Sequence, residues 1–480
     1  MNRRFIFSLA AVLAVGACSD QQDPNTGNPV PGSELAVASG TIGINVVLKA
    51  PATAANRTEL AKYGTLLDEV AELNAIRVRA KASQLSAIQA LPFVKAATPD
   101  AERNAIPIDL VLAEDFLGGA NAWDQDAINV TNFGAGRTLP SGYDGDGVNV
   151  AILDTGLLPT WRQYFPQERI REQYGIEFGG GGGDQGTVVT QPDRWQSDVN
   201  SHGTHVTSTI LGYQFPGLGQ FNGVAPLAKI IPVKVLNQNG SGWSSAIARG
   251  INYVAHLKRT VFQSSPMVIN MSLGGGSPDA LEQAAIDDAI EAGVIIVASA
   301  GNEGDAGMGW PGAFPEVISA AASGWTKQFV NCAAANQPSN AGSWWRACDY
   351  PENTSEVYIA NFSSREKPGL NQDLDVVAPG AWVVGPYQTN QSNQMSLFYL
   401  SGTSMASPHV AGIVALMAQQ NTGLTAPQAE AILENKAIPL AKGCATVIRE
   451  SEQQCWDTDA TGSGFITATA ALGISEARRK

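Results

Sequence analysis

Between residues 41 and 102 the apolar positions keep two different rhythms. INVVLK (44–49) and AIRVRA (75–80) have the short apolar runs of strands, whereas TELAKYGTLLDEVAEL (58–73) and ASQLSAIQAL (82–91) space apolar residues three and four apart, as on one face of a helix. LPFVKAATPDAE (91–102) ends the segment in an extended form. This order predicts a compact α+β unit, β-α-β-α-β, over 41–102. A longer alternation follows. The strand-like runs VNVAILD (148–154), AKIIPVKVL (228–236), MVINMSL (267–273) and GVIIVASA (293–300) are interleaved with the helix-like SSAIARGINYVAHLK (244–258) and PDALEQAAIDDAIEAG (278–293). Continuous apolar strands separated by helices predict a mostly parallel sheet between two helical layers, an α/β fold over 103–480. The Gly-rich stretch Phe178–Gly186 and the Cys- and Trp-containing stretch Gly324–Asn361 read as surface insertions.

Composition narrows the class. In 480 residues, 44% are hydrophobic and only 15% charged, which suits a tightly packed enzyme rather than a disordered chain. The net charge of −14 argues against nucleic acid as a partner, since only Arg478, Arg479 and Lys480 form a basic cluster.

Arg3 and Arg4 followed by the apolar run Phe5–Val15 have the order of an export signal, too short to span a bilayer as a helix. Cys18 after Gly16 and Ala17 resembles a lipobox, in which the cysteine carries lipid and attaches the chain to a membrane; an ordinary cleaved signal fits the same residues. Segment 1–18 is therefore expected to be a signal, and 19–40, rich in Pro, Gly, Asn and Asp, a flexible linker. Five cysteines leave one over in an oxidising compartment. If Cys18 carries lipid, Cys332 with Cys348 and Cys444 with Cys455 make the simplest of three pairings.

Only four histidines occur, and a serine nucleophile needs one as its base. Asp154 ends an apolar strand, where open α/β sheets build their sites. His202 opens a helix in NSHGTHV, and Ser404 starts the apolar helix of SGTSMASPHVAGIVALMAQ, near unpaired backbone N–H groups. Taken alone, such an Asp is more often a cap or turn residue, such a His more often structural, and Ser404 fits an ordinary N-cap. His256, on an amphipathic helix, reads as a surface residue. His205 and His409 read as structural, because His202-x-x-His205 lacks the spacing for two zinc ligands on one helix face and no HExxH occurs.

DTG (154–156), HGTHV (202–206) and GTSMASPHVAG (402–412), in that order, resemble the three signature blocks of the subtilisin-like serine proteases. The resemblance covers roughly 144–420 and implies a three-layer subtilisin-like fold and a serine endopeptidase with Asp154, His202 and Ser404 as its triad. Asn302 in ASAGNEG matches the family's oxyanion-hole amide. Gly240, Ser241 and Gly242 in LNQNGSGW, with Ser272, Leu273 and Gly274 in NMSLGG, match strands that pair with substrate. Gly274 and Gly309 match the wall and floor of the S1 pocket, which implies large apolar P1 residues in protein or peptide substrates. The 41–102 unit resembles the inhibitory prodomain, an intramolecular partner cut off autocatalytically after Asp100. No catalytic cofactor is implied. A structural Ca²⁺ stays open with no ligands assigned, because GYQFPGLGQFNGVAP (212–226) stands where the family's calcium loop is expected. A non-catalytic binding protein on the same fold would be free to lose a triad member, and none is missing. A sedolisin-type peptidase would carry Glu in place of His202, and an α/β-hydrolase would need G-x-S-x-G around its serine.

Overall fold

The structure, a computed structural model, describes residues 40–105, 107–113, 122–132, 136–137, 142–215, 219–329, 354–388 and 396–474. The expected signal with Cys18, the linker up to residue 39, and Cys332 and Cys348 lie outside the described residues.

Strand Asn149–Asp154 is buried along its whole length and runs parallel to Lys229–Lys234 on one side and Met267–Met271 on the other. The parallel order continues through Val294–Ser299 and Ile318–Trp325 to Val376–Pro379. Antiparallel strands, Val189–Gln191 and Val357–Ile359, close the two edges of this nine-stranded sheet. Alternation across the pleat divides the core. Val150 and Ile152 pack with helix Thr403–Gln420 in one cluster, whereas Ala151 and Leu153 pack with helices Ser244–Thr260 and Ala280–Glu291 in another. The predicted three-layer α/β architecture is observed.

The N-terminal unit is a four-stranded antiparallel sheet in the order Gly64–Val70, Ala75–Lys81, Thr41–Leu48, Val94–Pro99. One expectation is corrected here. Segment 58–73 is not a helix: the helix is Ala54–Leu60, and Gly64–Val70 forms a strand paired with Ala75–Lys81. Its helical spacing was outweighed by cross-strand pairing, and Gly64 allows the approach, since a Cβ there would lie 2.1 Å from Arg79 O. Helix Leu85–Gln89 falls within its predicted span.

Ile44, Val46, Leu60, Val78 and Ile88 make this unit's own core, while Val47, Val70, Leu73 and Ala75 enter the cluster under helices Ser244–Thr260 and Ala280–Glu291. The Gly-rich stretch is also not a free insertion. It begins in strand Ile176–Gly179 and turns against the N-terminal sheet, where a Cβ on Gly43 would meet Gly183 O at 1.9 Å. Glycine on both sides lets the two backbones touch. Likewise Gly324–Asn361 starts inside the sheet, with Gly324 and Trp325 buried in strand Ile318–Trp325. Cys444 and Cys455 are bonded, at 2.11 Å, across a two-stranded ribbon.

Candidate active site

The three predicted residues arrive from three element ends. Asp154 closes its strand, His202 opens helix His202–Leu211, and Ser404 is the second residue of helix Thr403–Gln420. His202 Nδ1 lies 2.9 and 3.0 Å from the two Asp154 carboxylate oxygens, with both side chains fully buried. The Thr155 N–H donates to Asp154 Oδ1 at 2.7 Å. Nδ1 is therefore the protonated nitrogen, which leaves Nε2 as the acceptor face of the ring. Nε2 is buried and has no hydrogen-bond partner, while the Ser404 hydroxyl donates to Ser272 O at 3.2 Å.

Ser404 is held from beneath by a feature its sequence explains. Pro408 lies inside the helix four residues later and has no N–H to give back to the Ser404 carbonyl. That carbonyl instead accepts from Ser272 Oγ at 2.8 Å. Ser272 accepts from Asn270 Nδ2 at 3.0 Å, and Asn270 Oδ1 accepts from Ser407 Oγ at 2.7 Å. This buried chain locks the serine helix to the end of strand Met267–Met271.

A second network fixes the histidine helix. Asp198 accepts from Thr155 Oγ1 at 3.1 Å and from the Asn200 and Ser201 N–H groups at 2.8 and 3.0 Å. Thr155 Oγ1 in turn accepts from Gly203 N–H at 2.9 Å. Burial pushes the Asp198 carboxyl up to about 6, against the pull of Lys234 and those N–H groups. Lys234, its own pKa lowered by burial, donates to the Thr155 and Leu236 carbonyls at 2.8 and 2.7 Å. Asn270, Thr155, Asp198 and Lys234 were not singled out from sequence; a polar residue ending a buried strand, as at 234 and 270, was the available signal.

Asn302 Oδ1 accepts from the Thr403 N–H and hydroxyl, both at 2.9 Å. With its oxygen fixed, the amide nitrogen faces the serine loop: a Cβ built on Gly402 would lie 3.5 Å from Asn302 Nδ2 and 3.7 Å from Ser404 N. Two donors thus border one small space at the helix N-terminus, where negative charge is favoured.

The substrate-matched residues already hold a strand. Glu102–Asn104 pairs antiparallel with Ser241–Trp243. Asn104 exchanges two backbone hydrogen bonds with Gly274, at 2.8 and 2.9 Å, and Ala105 N–H donates to Gly240 O at 2.9 Å. Ile108 N–H bonds Ser401 O at 2.8 Å, and Asp109–Leu112 pairs with Leu397–Ser401. Ala105 is thus held at Gly240 and Ile108 at Ser401, three residues before Ser404 in sequence. Gly274 and Gly309 face each other, a Cβ on Gly274 falling 3.8 Å from Gly309 Cα.

The remaining histidines do not gather. His256 is exposed; His409 is buried with Nδ1 bonded to Met405 O at 2.8 Å and Nε2 3.0 Å from Asp124 Oδ2. Among the described residues no group of three or more His, Cys, Asp or Glu side chains could hold a metal ion. At the place expected for a calcium loop, Gly212–Phe215 pairs antiparallel with Gly219–Asn222.

The family model for the subtilase family, peptidase S8, matches residues 145–468. This chain belongs to the subtilase family. Its class, serine-type endopeptidase, follows from that membership. Subtilisin DY of Bacillus licheniformis is 31% identical over 310 residues, which are 64% of this chain and 89% of that protein. Subtilisin Savinase of Lederbergia lenta is 32% identical over 330 residues, 69% of this chain and 92% of that one. Alkaline serine exoprotease A of Vibrio alginolyticus is 30% identical over 68% of this chain, which spans only 50% of that protein's length. Among solved structures, fervidolysin from Fervidobacterium pennivorans, a keratinolytic enzyme related to subtilisin, shares the fold at a TM-score of 0.62 and 22% identity, covering 91% of this chain and 61% of its own. Sphericase aligns at 0.52 with 27% identity, covering 72% of this subtilase and 97% of its own chain.

Proposed function

We propose that this subtilase is an exported serine endopeptidase made as a precursor and inhibited by its own N-terminal unit until that unit is cut away. The observation that carries the reading is the strand Glu102–Asn104, seated between Ser241–Trp243 and Gly274, with Ile108 of the same chain bonded to Ser401 beside the serine block. An inhibitory segment that is also the first substrate has to sit this way.

In the proposed mechanism Ser404 Oγ attacks the carbonyl carbon of the scissile bond, and its proton passes to His202 Nε2. For this the hydroxyl turns from Ser272 O toward the unpartnered ring nitrogen. Asp154, bonded to Nδ1, keeps the ring in the right tautomer and stabilises the imidazolium. Negative charge on the carbonyl oxygen is met by Asn302 Nδ2 and the Ser404 N–H. The imidazolium gives its proton to the departing amine, and water then repeats the sequence on the acyl-enzyme. No step draws on a metal or cofactor.

The 41–102 unit is the proposed prodomain, and the first cut falls between 105 and 108. Gly274 and Gly309 leave space for a large apolar P1 side chain. Export directed by residues 1–18, lipid on Cys18 as the membrane attachment, and a Cys332–Cys348 bond in the extracellular chain complete the proposal. Among the described residues, no helix is long and apolar enough to cross a membrane.

The test follows intact mass and casein hydrolysis for the full chain and its Ser404→Ala variant. Wild type is expected to shed a fragment ending between 105 and 108 and then digest casein. Ser404→Ala is expected to keep its full mass and lose about 10⁶-fold in kcat, the loss known for the nucleophile of subtilisin. Self-cleavage by Ser404→Ala at the wild-type rate would remove the serine from the mechanism.

A further inference from the structure

The strand lying in the cleft reports more than inhibition, because one of its side chains is an arginine buried to 0% exposure. Arg103, paired with Gly242, reaches helix Ala280–Glu291 and meets Glu282, also at 0%. Its Nε donates to Glu282 Oε1 at 3.2 Å and one terminal nitrogen to Glu282 Oε2 at 2.6 Å. That nitrogen also donates to Ser277 O at 2.9 Å, and the other donates to Glu102 O at 3.2 Å. The fork of a guanidinium thus matches a two-oxygen acceptor plus a backbone carbonyl.

We infer that Glu282 makes the subsite opposite Gly242 selective for arginine in the substrates of the processed enzyme. A peptide laid in the register of residues 102–105, with one residue between the Gly240-bonded position and the cut, puts this arginine at P4. The inference rests on the proposed endopeptidase function and adds a substrate class to it.

The charge balance gives the reason. Both Glu282 oxygens are bonded to Arg103 and to no other side chain described. When the N-terminal unit leaves, the carboxylate remains in the cleft wall without a cation. Asp279, less than one turn away as the N-cap of the same helix, loses its Asn45 and Thr98 donors at the same moment. Burial already raises the Glu282 pKa, with Arg103 opposing that rise. An apolar side chain entering this subsite would bury the carboxylate unpaired, whereas an arginine restores the bonds to Glu282 and to Ser277 O. Lysine brings the charge without the fork and is expected to be intermediate.

The experiment uses the full chain after its own processing, with peptide substrates of the form acyl-Xaa-Ala-Ala-Phe-p-nitroanilide, Xaa being Arg, Lys, Leu or Glu. Wild type is expected to favour Arg over Leu in kcat/KM by about 10- to 100-fold, with Lys between and Glu lowest. In Glu282→Gln the Arg-to-Leu ratio is expected to fall at least roughly tenfold, and in Glu282→Leu to drop below one. Because each value is a ratio within one protein, a lower folded yield does not affect it. Hydrolysis with no difference between Arg and Leu, or an Arg preference that survives Glu282→Gln, overturns the inference and leaves the endopeptidase reading intact. Hydrolysis of no peptide overturns both.

Discussion

Asp154 and Asp100 are both carboxylates with fully buried side chains, and the origin of their partners separates them. Asp154 takes its bonds from Thr155 and His202, inside one body built on the central sheet. Asp100 is held across two bodies. Its donors are Arg77 and Asn45 from its own unit at 3.0 and 3.3 Å, Gly183 N–H at 2.7 Å, the Ser244 and Ser245 hydroxyls at 2.8 and 2.6 Å, and Ser245 N–H at 2.9 Å. It thereby caps the N-terminus of helix Ser244–Thr260 from outside the peptidase body. The named partners of the first carboxylate all lie outside the N-terminal unit. The burial of the second lasts only while that unit is docked. A permanent pocket can orient a histidine through every turnover; a conditional one can seal a cleft and later open it.

The sharpest way to break this comparison is to damage each carboxylate alone. Asp154→Asn is expected to lower kcat by about 10⁴-fold through loss of the correct His202 tautomer, with the N-terminal unit held as tightly as before. Peptide hydrolysis and co-purification of the cleaved unit read the two effects separately. Asp100→Ala is expected to do the reverse. Removing one partner of a buried ion pair costs about 3–5 kcal/mol, so the cleaved unit should dissociate about 10²- to 10⁴-fold more readily while kcat of the freed enzyme is unchanged. The lag before peptide hydrolysis would shorten accordingly. If Asp100→Ala lowers kcat instead, the two regions are coupled and the distinction fails.

The same division governs what could be read from the chain. The expected triad, Asp154, His202 and Ser404, rests on three motifs in a fixed order that resemble a known family, while the end of an apolar run places each residue only at a strand end or helix start. The parallel sheet was legible from the apolar runs themselves. Contacts between the two bodies were not. Arg103 and Glu282 are 179 residues apart, and nothing near either says that a guanidinium and a carboxylate will meet. The Phe178–Gly186 stretch looked like a loose insertion because glycine carries no apolar signal, yet its bare backbone is what lets Gly183 reach Asp100 and Gly43. Segment 58–73 was misread through its own spacing. Asp68 in that strand bonds Arg77 at 3.1 Å, a cross-strand contact that periodicity within one segment does not report.

Permanent burial has a cost of its own, and His205 shows it. It lies one turn beyond His202 on the same helix at 0% exposure, and burial with the neighbouring His202 pushes its pKa from 6.5 down to about 3. Between those values the unfolded chain binds a proton that the folded chain refuses, so stability rises with pH through this window and falls as the solution is acidified. Each pH unit below 6.5 costs about 1.4 kcal/mol, which amounts to roughly 2 kcal/mol by pH 5. His205→Gln in the Ser404→Ala background, where self-digestion is absent, should lose less stability than its parent over that interval, by about the same amount. Urea midpoints at pH 6.5 and 5 measure it, and any constant penalty of the substitution cancels in the difference. Equal losses in the two proteins would mean that His205 takes up its proton while folded, and the helix carrying His202 would then accommodate a charge that its burial is expected to exclude.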